Sequence, residues 1–299
     1  MAGAPDHLVD LSGITREFAL ELFAEADRLR AVRGTPDGPR PLAGKTAALV
    51  FHKPSLRTRV SFTVGMHELG GDAVDLGVVE VSETGRETVE DVAHVLSGMV
   101  DLVVVRTFSH RLVQRLAQHA TIPVINALTD HSHPCQILAD LYTLWRSGRD
   151  LDRMTIAWVG DGNNVLHSWL EASTLFGFQL RVAVPDGFEP DAGLYLDAEV
   201  RSKGGVRRVR DPYEAVRGAD MIYTDTYTSG GVSMGVPFLV NHINADGPKQ
   251  WDGVTALTTP LAGREWRATK SCAYSFILGA SSRVQDGYSV LWSNVTDFQ

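Results

Sequence analysis

Residues 45–76 read KTAALVFHKPSLRTRVSFTVGMHELGGDAVDL. The first seven, 45–51, form a short apolar run that is typical of a buried parallel strand. A polar break at 52–58 follows, and a segment at 59–69 then shows helical spacing and ends at two glycines, before a second short strand at 72–76. Strand, helix and strand in this order predict the repeating unit of a parallel α/β sheet.

The same alternation continues on both sides of this unit. Up to residue 149 the pattern predicts helices at 14–33, 88–99, 112–119 and 133–149 and strands at 101–106 and 124–126. It then restarts, with strands at 154–159, 179–184, 206–208 and 220–223 and helices at 164–176, 192–203 and 212–216. Because the chain has 299 residues and a domain takes roughly 150, we expect an α/β protein of two domains, residues 1–148 and 149–299. Each domain is predicted to be a parallel sheet flanked by helices.

Composition narrows the class of protein. Hydrophobic residues make up 44% and charged residues 21%, which is ordinary for a globular chain. The formal charge of −8 leaves no surplus of Lys and Arg for a nucleic-acid backbone. Two cysteines, Cys135 and Cys272, do not make a disulfide framework and favour a reducing compartment. With no signal peptide and no apolar run of membrane length, we expect a cytoplasmic protein that binds neither nucleic acid nor membrane.

The segment FHKPSLRTR at 51–59 is the first candidate site, because ligands of open α/β sheets bind where strands end. A helix that begins there offers free backbone N–H groups, and Ser, Thr and Arg side chains add donors for an anion. The alternative is a surface loop with a capping serine and solvated arginines. Arg106 ends another hydrophobic strand. It either belongs to the same anion site or forms a salt bridge at the edge of the protein surface.

The segment DHSHPCQILAD at 130–140 is the second candidate. His131, His133 and Cys135 are residue types that bind zinc. Pro134 favours the first position of a helix, however, so the cysteine need not face the same point as the histidines. We therefore favour no metal, and Cys135 can equally be a small core residue with His133 as a helix cap.

Two further segments follow strands of the second predicted domain. WVGDGNNVL at 158–166 begins like a dinucleotide fingerprint, and Asp186 after the next strand could hold a ribose, but Val165 replaces the third glycine. The two asparagines instead suit a polar ligand or helix capping. In YTDTY at 223–227, Asp225 could attract an ammonium group or cap a turn.

Together these segments resemble the aspartate/ornithine carbamoyltransferase family, most closely its ornithine branch. Residues 55–59, SLRTR, match the family's carbamoyl phosphate motif Ser-x-Arg-Thr-Arg. Residues 133–140, HPCQILAD, match the ornithine form of the second motif, and 160–164 and 224–227 resemble the ornithine-side motifs. The resemblance extends from about residue 8 to residue 229.

The resemblance implies a role for particular residues. Carbamoyl phosphate would be bound by Ser55, Leu56, Arg57, Thr58, Arg106, His133 and Gln136. Arg106, His133 and Cys272 would be catalytic, and Asn164, Asp225 and Ser229 would bind the acceptor. Leu56 stands where the family usually has Thr, at a position that contributes mainly its backbone N–H.

The implied activity is transfer of the carbamoyl group from carbamoyl phosphate to the side-chain amine of L-ornithine, giving L-citrulline and phosphate in arginine metabolism. The neutral amine would attack the carbonyl carbon while Arg106, His133 and Thr58 stabilise the developing oxyanion. No metal or organic cofactor is required. The implied assembly is a homotrimer, with the active site in the cleft between the two domains.

The family's pattern is incomplete after Asp225. Its Ser-Met-Gly motif corresponds either to Ser229 or, after an insertion, to Ser233. Its His-Cys-Leu-Pro motif is absent, so Cys272 is either the counterpart of the catalytic cysteine or a core residue, and its late Arg has no match. Besides ornithine transfer, the sequence therefore leaves open a paralogue that carbamoylates another amine, and an inactive homologue that only binds carbamoyl phosphate.

Overall fold

The structure is a computed structural model that describes residues 5–33, 35, 38–76 and 87–225 and the two-residue strands at 250–251, 254–255 and 291–292. By internal packing the chain divides into two compact units, of which the first extends to Tyr142 and the second begins at Thr143. Packing does not define functional boundaries, so the domains 1–148 and 149–299 stay a prediction.

The first unit contains a four-stranded parallel sheet with the strand order β2-β1-β3-β4. Its strands are β1 (Thr46–Phe51), β2 (Asp72–Leu76), β3 (Leu102–Arg106) and β4 (Val124–Leu128). Its helices are α1 (Arg16–Ala31), α2 (Leu56–Glu68), α3 (Val89–Ser97), α4 (His110–His119) and α5 (Pro134–Arg146), the last of which continues into the second unit. β1 and β3 lie at the centre of the sheet and are almost wholly buried, which explains their uninterrupted apolar sequences.

The second unit repeats this architecture with the strand order β11-β8-β5-β6-β7, again parallel. Its strands are β5 (Thr155–Val159), β6 (Gln179–Ala183), β7 (Val206–Arg208), β8 (Met221–Thr224) and β11 (Leu291–Trp292), and a separate antiparallel pair is formed by β9 (Gln250–Trp251) and β10 (Val254–Thr255). Its helices are α6 (Asn164–Leu175), α7 (Ala192–Arg201) and α8 (Pro212–Val216). Aromatic rings fill its core: Trp158 stacks on Tyr223 with 5.5 Å between ring centroids, and Trp169 meets both Tyr223 and Phe178 edge to face.

The predicted class, two α/β domains each built on a parallel sheet, is confirmed. The main differences are at helix starts, where capping decides the boundary. α2 begins at Leu56 rather than at Arg59, because Ser55 caps it, and α4 begins at His110 rather than at Leu112, because the Ser109 hydroxyl accepts from the Leu112 N–H at 3.2 Å. In the part of the chain described, no helix is long and apolar enough to cross a membrane.

Candidate active site

The connection from β1 to α2 presents a helix N-terminus at the carboxyl end of a central strand. The Ser55 hydroxyl accepts from the Thr58 N–H at 3.4 Å and donates to the Thr58 hydroxyl at 2.8 Å. No acidic residue occupies the first turn of α2, so the positive end of the helix dipole is not neutralised within the helix. Leu56 opens the helix with a side chain that is 80% exposed. Backbone N–H groups and two hydroxyls thus converge where an anion would sit.

Arg106 ends the neighbouring strand and reaches this helix start. It lies opposite Phe51 in the register of β1 with β3, and its Nη1 donates to the Thr58 hydroxyl at 3.4 Å. The pairing of β3 with β4 shifts register between Val105 and Arg106, an irregularity of the kind that redirects a side chain. Ser55, Thr58 and Arg106, three predicted carbamoyl phosphate ligands, therefore lie together.

The Arg106 guanidinium is a half-buried charge whose Nε–H is not used in the described part of the chain. Burial, and then the charge of Arg57, lowers its pKa to about 10. Its Nε–H is buried and has no hydrogen-bond acceptor among the residues that the structure describes. An anion bound next to the Arg106 guanidinium would therefore stabilise its positive charge.

His133 adds a neutral imidazole beside these cations. It is 8% exposed, and burial, followed by the charges of Arg106 and Lys53, lowers its pKa to about 3. The ring is therefore uncharged at neutral pH and can donate one hydrogen bond without adding positive charge. His133 directly precedes α5, in which Pro134 is the first residue, as predicted.

Gln136, in the first turn of α5, is held by a buried carboxylate. Its Nε2 donates to both oxygens of Asp140 at 3.1 Å each, and Asp140 is fully buried. This directs the amide nitrogen of Gln136 towards Asp140, so the carbonyl oxygen of the same amide group faces away from that carboxylate. Asp140 was not among the predicted site residues, although its spacing of four residues from Gln136 on one helix face is a signal that could have found it.

Lys53 is a second residue that the sequence analysis did not single out. Its ammonium group pairs with the Asp130 carboxylate and lies 4.4 Å from the centroid of the Phe108 ring, and its charge acts on His133. It lies in the same β1–α2 connection as Ser55, so its position beside a predicted anion site was the available signal.

Cys135 is part of the core of the first unit. Its thiol is 1% exposed and donates to the Asn126 carbonyl at 3.4 Å, and burial raises its pKa to about 12. The His131 ring packs on the His110 ring with 4.8 Å between centroids. Among the described residues, no three His, Cys, Asp or Glu side chains come together as a metal site. The structure supports the core interpretation of this cysteine.

In the second unit, the turn after β5 depends on glycine at one position. A Cβ on Gly162 would lie 2.1 Å from the Pro190 nitrogen and 2.4 Å from the Glu189 carbonyl carbon, so the close approach of residues 188–190 requires a glycine. Val165, by contrast, is buried in the core, and the Asp186 side chain is 98% exposed beside Arg208. This geometry gives no support to a dinucleotide site.

The two predicted acceptor residues that the structure describes lie at neighbouring strand ends. Asn164 begins α6 directly after β5, and Asp225 follows β8, which pairs in parallel with β5. Asp225 is 8% exposed, and its Oδ2 accepts from Asn163 Nδ2 at 2.7 Å. Asn163 is therefore a third residue at this edge of the sheet, for which the sequence left open a polar ligand or helix capping.

The remaining predicted residues, Ser229 or its alternative Ser233 and Cys272, lie outside the described residues, and their roles stay predictions. The predicted active-site cleft between the two domains also stays a prediction, because the structure describes each unit by itself. Each unit, described by itself, collects its polar side chains at the carboxyl ends of its parallel strands. This is where open α/β sheets bind small polar ligands, and it defines the class: a two-unit α/β protein with an anion site in one unit and an Asn–Asp pair in the other.

Comparison with known proteins identifies the family. Residues 6–146 match the carbamoyl-P binding domain of aspartate/ornithine carbamoyltransferases, and residues 152–235 match the Asp/Orn binding domain. The chain is 44% identical to the ornithine carbamoyltransferase of Chlorobaculum tepidum over 75% of its own length and 65% of that protein's. It is 44% identical to that of Desulfotalea psychrophila over 76% of this chain and 75% of the relative.

A solved structure agrees with these relatives. The ornithine carbamoyltransferase from Pyrococcus furiosus superposes with a TM-score of 0.73 at 41% identity, covering 77% of this chain and 74% of that one. The chain belongs to the aspartate/ornithine carbamoyltransferase family, which is a family of carbamoyltransferase enzymes, and is similar to its ornithine carbamoyltransferases. The part of the chain matched by the family ends at residue 235.

Proposed function

We propose that the chain transfers the carbamoyl group of carbamoyl phosphate to the side-chain amine of L-ornithine, giving L-citrulline and phosphate. The observation that carries this proposal is the half-buried Arg106 guanidinium beside the N-terminus of α2, with a buried Nε–H that has no acceptor in the described part of the chain. With a pKa of about 10 it is charged at neutral pH. A small anion that carries both phosphate and carbonyl oxygens could accept hydrogen bonds from the Arg106 guanidinium and from the start of α2.

The phosphate end of the substrate is assigned to the start of α2. Ser55, Arg57 and the N–H groups at the start of α2, including that of Leu56, hold the phosphate oxygens and stabilise the charge that builds up as phosphate leaves. Arg57 suits this role because a guanidinium binds phosphate through two parallel hydrogen bonds.

The carbamoyl end is assigned to Arg106, His133 and Thr58. When the amine attacks the carbonyl carbon, negative charge develops on the carbonyl oxygen, and each well-aimed donor to it contributes about 3–4 kcal/mol. The Gln136 carbonyl oxygen, directed away from Asp140, accepts from the carbamoyl amide group. This pairing distinguishes a carbamoyl group from an acetyl group, which has no N–H to donate.

The acceptor is assigned to the second unit. Asp225 attracts the α-ammonium group of an amino acid, and Asn164 offers amide groups to its carboxylate. Ser229 and Cys272 complete the proposed site. Holding both substrates in reacting orientation supplies up to about 7–11 kcal/mol of the rate enhancement.

The direct test is an assay with a panel of amines. The purified chain is incubated with carbamoyl phosphate and L-ornithine, putrescine, acetylornithine or lysine, and phosphate and ureido product are measured together. We expect equal amounts of both with L-ornithine and no ureido product with Arg57→Ala. Product from another amine alone would identify a paralogue. Stabilisation by carbamoyl phosphate on heating without any product would identify a binding homologue, and either result overturns the proposal.

Family membership also supports the remaining proposals. We expect a homotrimer in the cytoplasm that acts in arginine biosynthesis, with the domains 1–148 and 149–299 binding carbamoyl phosphate and acceptor respectively. Light scattering on the purified chain should give three times the mass of one chain. The mass of a monomer would contradict the trimer.

A further inference from the structure

We propose that Asn163 is a positioning residue of the acceptor site, which holds the Asp225 carboxylate in place from the start of α6. The Asn163 Nδ2 donates to Asp225 Oδ2 at 2.7 Å. The two residues are 62 positions apart in sequence, so this bond ties the β5–α6 turn to the end of β8. The inference rests on the proposed function, since it assigns Asp225 to the acceptor.

The orientation of the Asn163 amide follows from its other bonds. Its Oδ1 accepts from the Val165 N–H at 3.0 Å and from the Leu166 N–H at 3.2 Å, which makes Asn163 the N-cap of α6. Because both of these partners are donors, the oxygen must face the helix and the NH₂ group must face Asp225. One side chain therefore has two functions, which different substitutions can separate.

The backbone before Asp225 is fixed independently. Tyr223 lies in register opposite Trp158 and stacks on its ring, with an angle of 15° between the ring planes. This packing acts on the backbone, whereas the Asn163 hydrogen bond acts on the Asp225 carboxylate itself. The donor is a neutral amide, so this hydrogen bond itself brings no cation to the Asp225 carboxylate.

This arrangement predicts a defect confined to the acceptor. Asn163 lies in the second unit, whereas the carbamoyl phosphate ligands Ser55, Thr58 and Arg106 lie in the first. A freed Asp225 carboxylate would bind and orient the amine less well. The KM for the acceptor should therefore rise, while the KM for carbamoyl phosphate should not.

Two substitutions test this against a role in helix capping alone. Asn163→Ser keeps a capping oxygen and loses the donor to Asp225, and Asn163→Asp keeps the cap and places a second carboxylate against Asp225. We expect the KM for L-ornithine to rise roughly 10- to 100-fold in Asn163→Ser, the value of a hydrogen bond to a charged group, and further in Asn163→Asp. The KM for carbamoyl phosphate should stay near that of the parent chain, and the melting temperature should fall less in Asn163→Ser than in Asn163→Asp, where two carboxylates repel each other.

Asp191→Ala is the matched control, because it removes the N-cap of α7, where Asp191 accepts from the Leu194 N–H at 2.9 Å. It should lower the melting temperature without changing the KM for L-ornithine. An unchanged KM for L-ornithine in both Asn163 variants would overturn the inference and leave a helix cap only. If the parent chain shows no turnover, the proposed function fails, and calorimetric titration of L-ornithine then decides the inference. Weaker binding of L-ornithine to the Asn163 variants than to the parent chain supports the inference. Equal binding to parent and variants, or no binding to the parent, overturns it.

Discussion

Arg106 ends its strand in a half-buried position, where a positive charge is costly unless an anion compensates it. Several arginines in the described part of the chain pair with carboxylates, for example Arg115 with Glu90 at 2.7 Å. Arg106 instead faces the Thr58 hydroxyl and the charge of Arg57, which lowers its pKa further after burial has done so. The folded chain thus maintains an unfavourable local charge that binding of an anion would relieve.

We expect Arg106→Gln to lower kcat/KM for carbamoyl phosphate by roughly 100- to 1,000-fold, the usual loss for one oxyanion donor. Stability in urea should be unchanged or slightly higher, because a buried like-charge contact is removed. Arg115→Gln, which removes a half-buried ion pair between α3 and α4, should leave kcat/KM unchanged. Equal kinetics for both variants would show that Arg106 does not contact the substrate.

Cys135 offers a second test at the level of one side chain. Because burial raises its pKa to about 12 and leaves it 1% exposed, its thiol should not react with iodoacetamide while the protein is folded. Peptide mapping by mass spectrometry after treatment at pH 8, with and without urea, measures this. Labelling of Cys135 without urea would contradict the buried position.

Among the elements, the turns that follow β1 and β5 combine helix capping with contacts to predicted binding residues. Ser55 and Asn163 both satisfy helix N–H groups, and each also contacts a predicted binding residue, Thr58 or Asp225. The sequence predicted both helices from their periodicity. It placed the start of α2 at Arg59 because the polar residues before it lack that periodicity, whereas the hydrogen bond from the cap extends the helix to Leu56.

The β5–α6 turn should be intolerant of any side chain on Gly162. In Gly162→Ala the new Cβ meets backbone atoms of Glu189 and Pro190, which cannot rotate away. We expect unfolding in urea to require about 1–3 kcal/mol less free energy, as in overpacked sites, together with a higher KM for the acceptor. Gly13→Ala, where nothing lies within 4 Å, should change neither quantity. Parent-like stability of Gly162→Ala would contradict the close approach.

For the whole molecule, a net charge of −8 coexists with a local concentration of positive charge around His133. The folded state keeps this imidazole neutral by lowering its pKa from 6.5 to about 3. The unfolded chain therefore binds a proton that the folded chain does not as the pH falls below about 6.5. That difference favours unfolding at low pH.

The free energy of unfolding of the parent chain should therefore decrease as the pH is lowered from about 6.5 to about 3. His133 should contribute up to about 1.4 kcal/mol of this decrease per pH unit. Comparing urea unfolding of the parent and His133→Gln at pH 5 and pH 7 isolates this contribution from that of the other histidines. The variant should lose less stability than the parent on going from pH 7 to pH 5. An equal loss would show that His133 can be protonated in the folded state.

The repeating strand–helix pattern was sufficient to predict two parallel α/β domains, because hydrophobic periodicity and turn residues are local properties of the chain. The short motifs were sufficient to indicate an anion site and the family. Which side chains meet could not be obtained in this way. Thr58 and Arg106 are 48 residues apart and Asn163 and Asp225 are 62 apart, and each pair meets because two strands that are not consecutive in sequence lie side by side. Strand order and register arise from long-range hydrogen bonds and core packing, and these determined how the site is assembled.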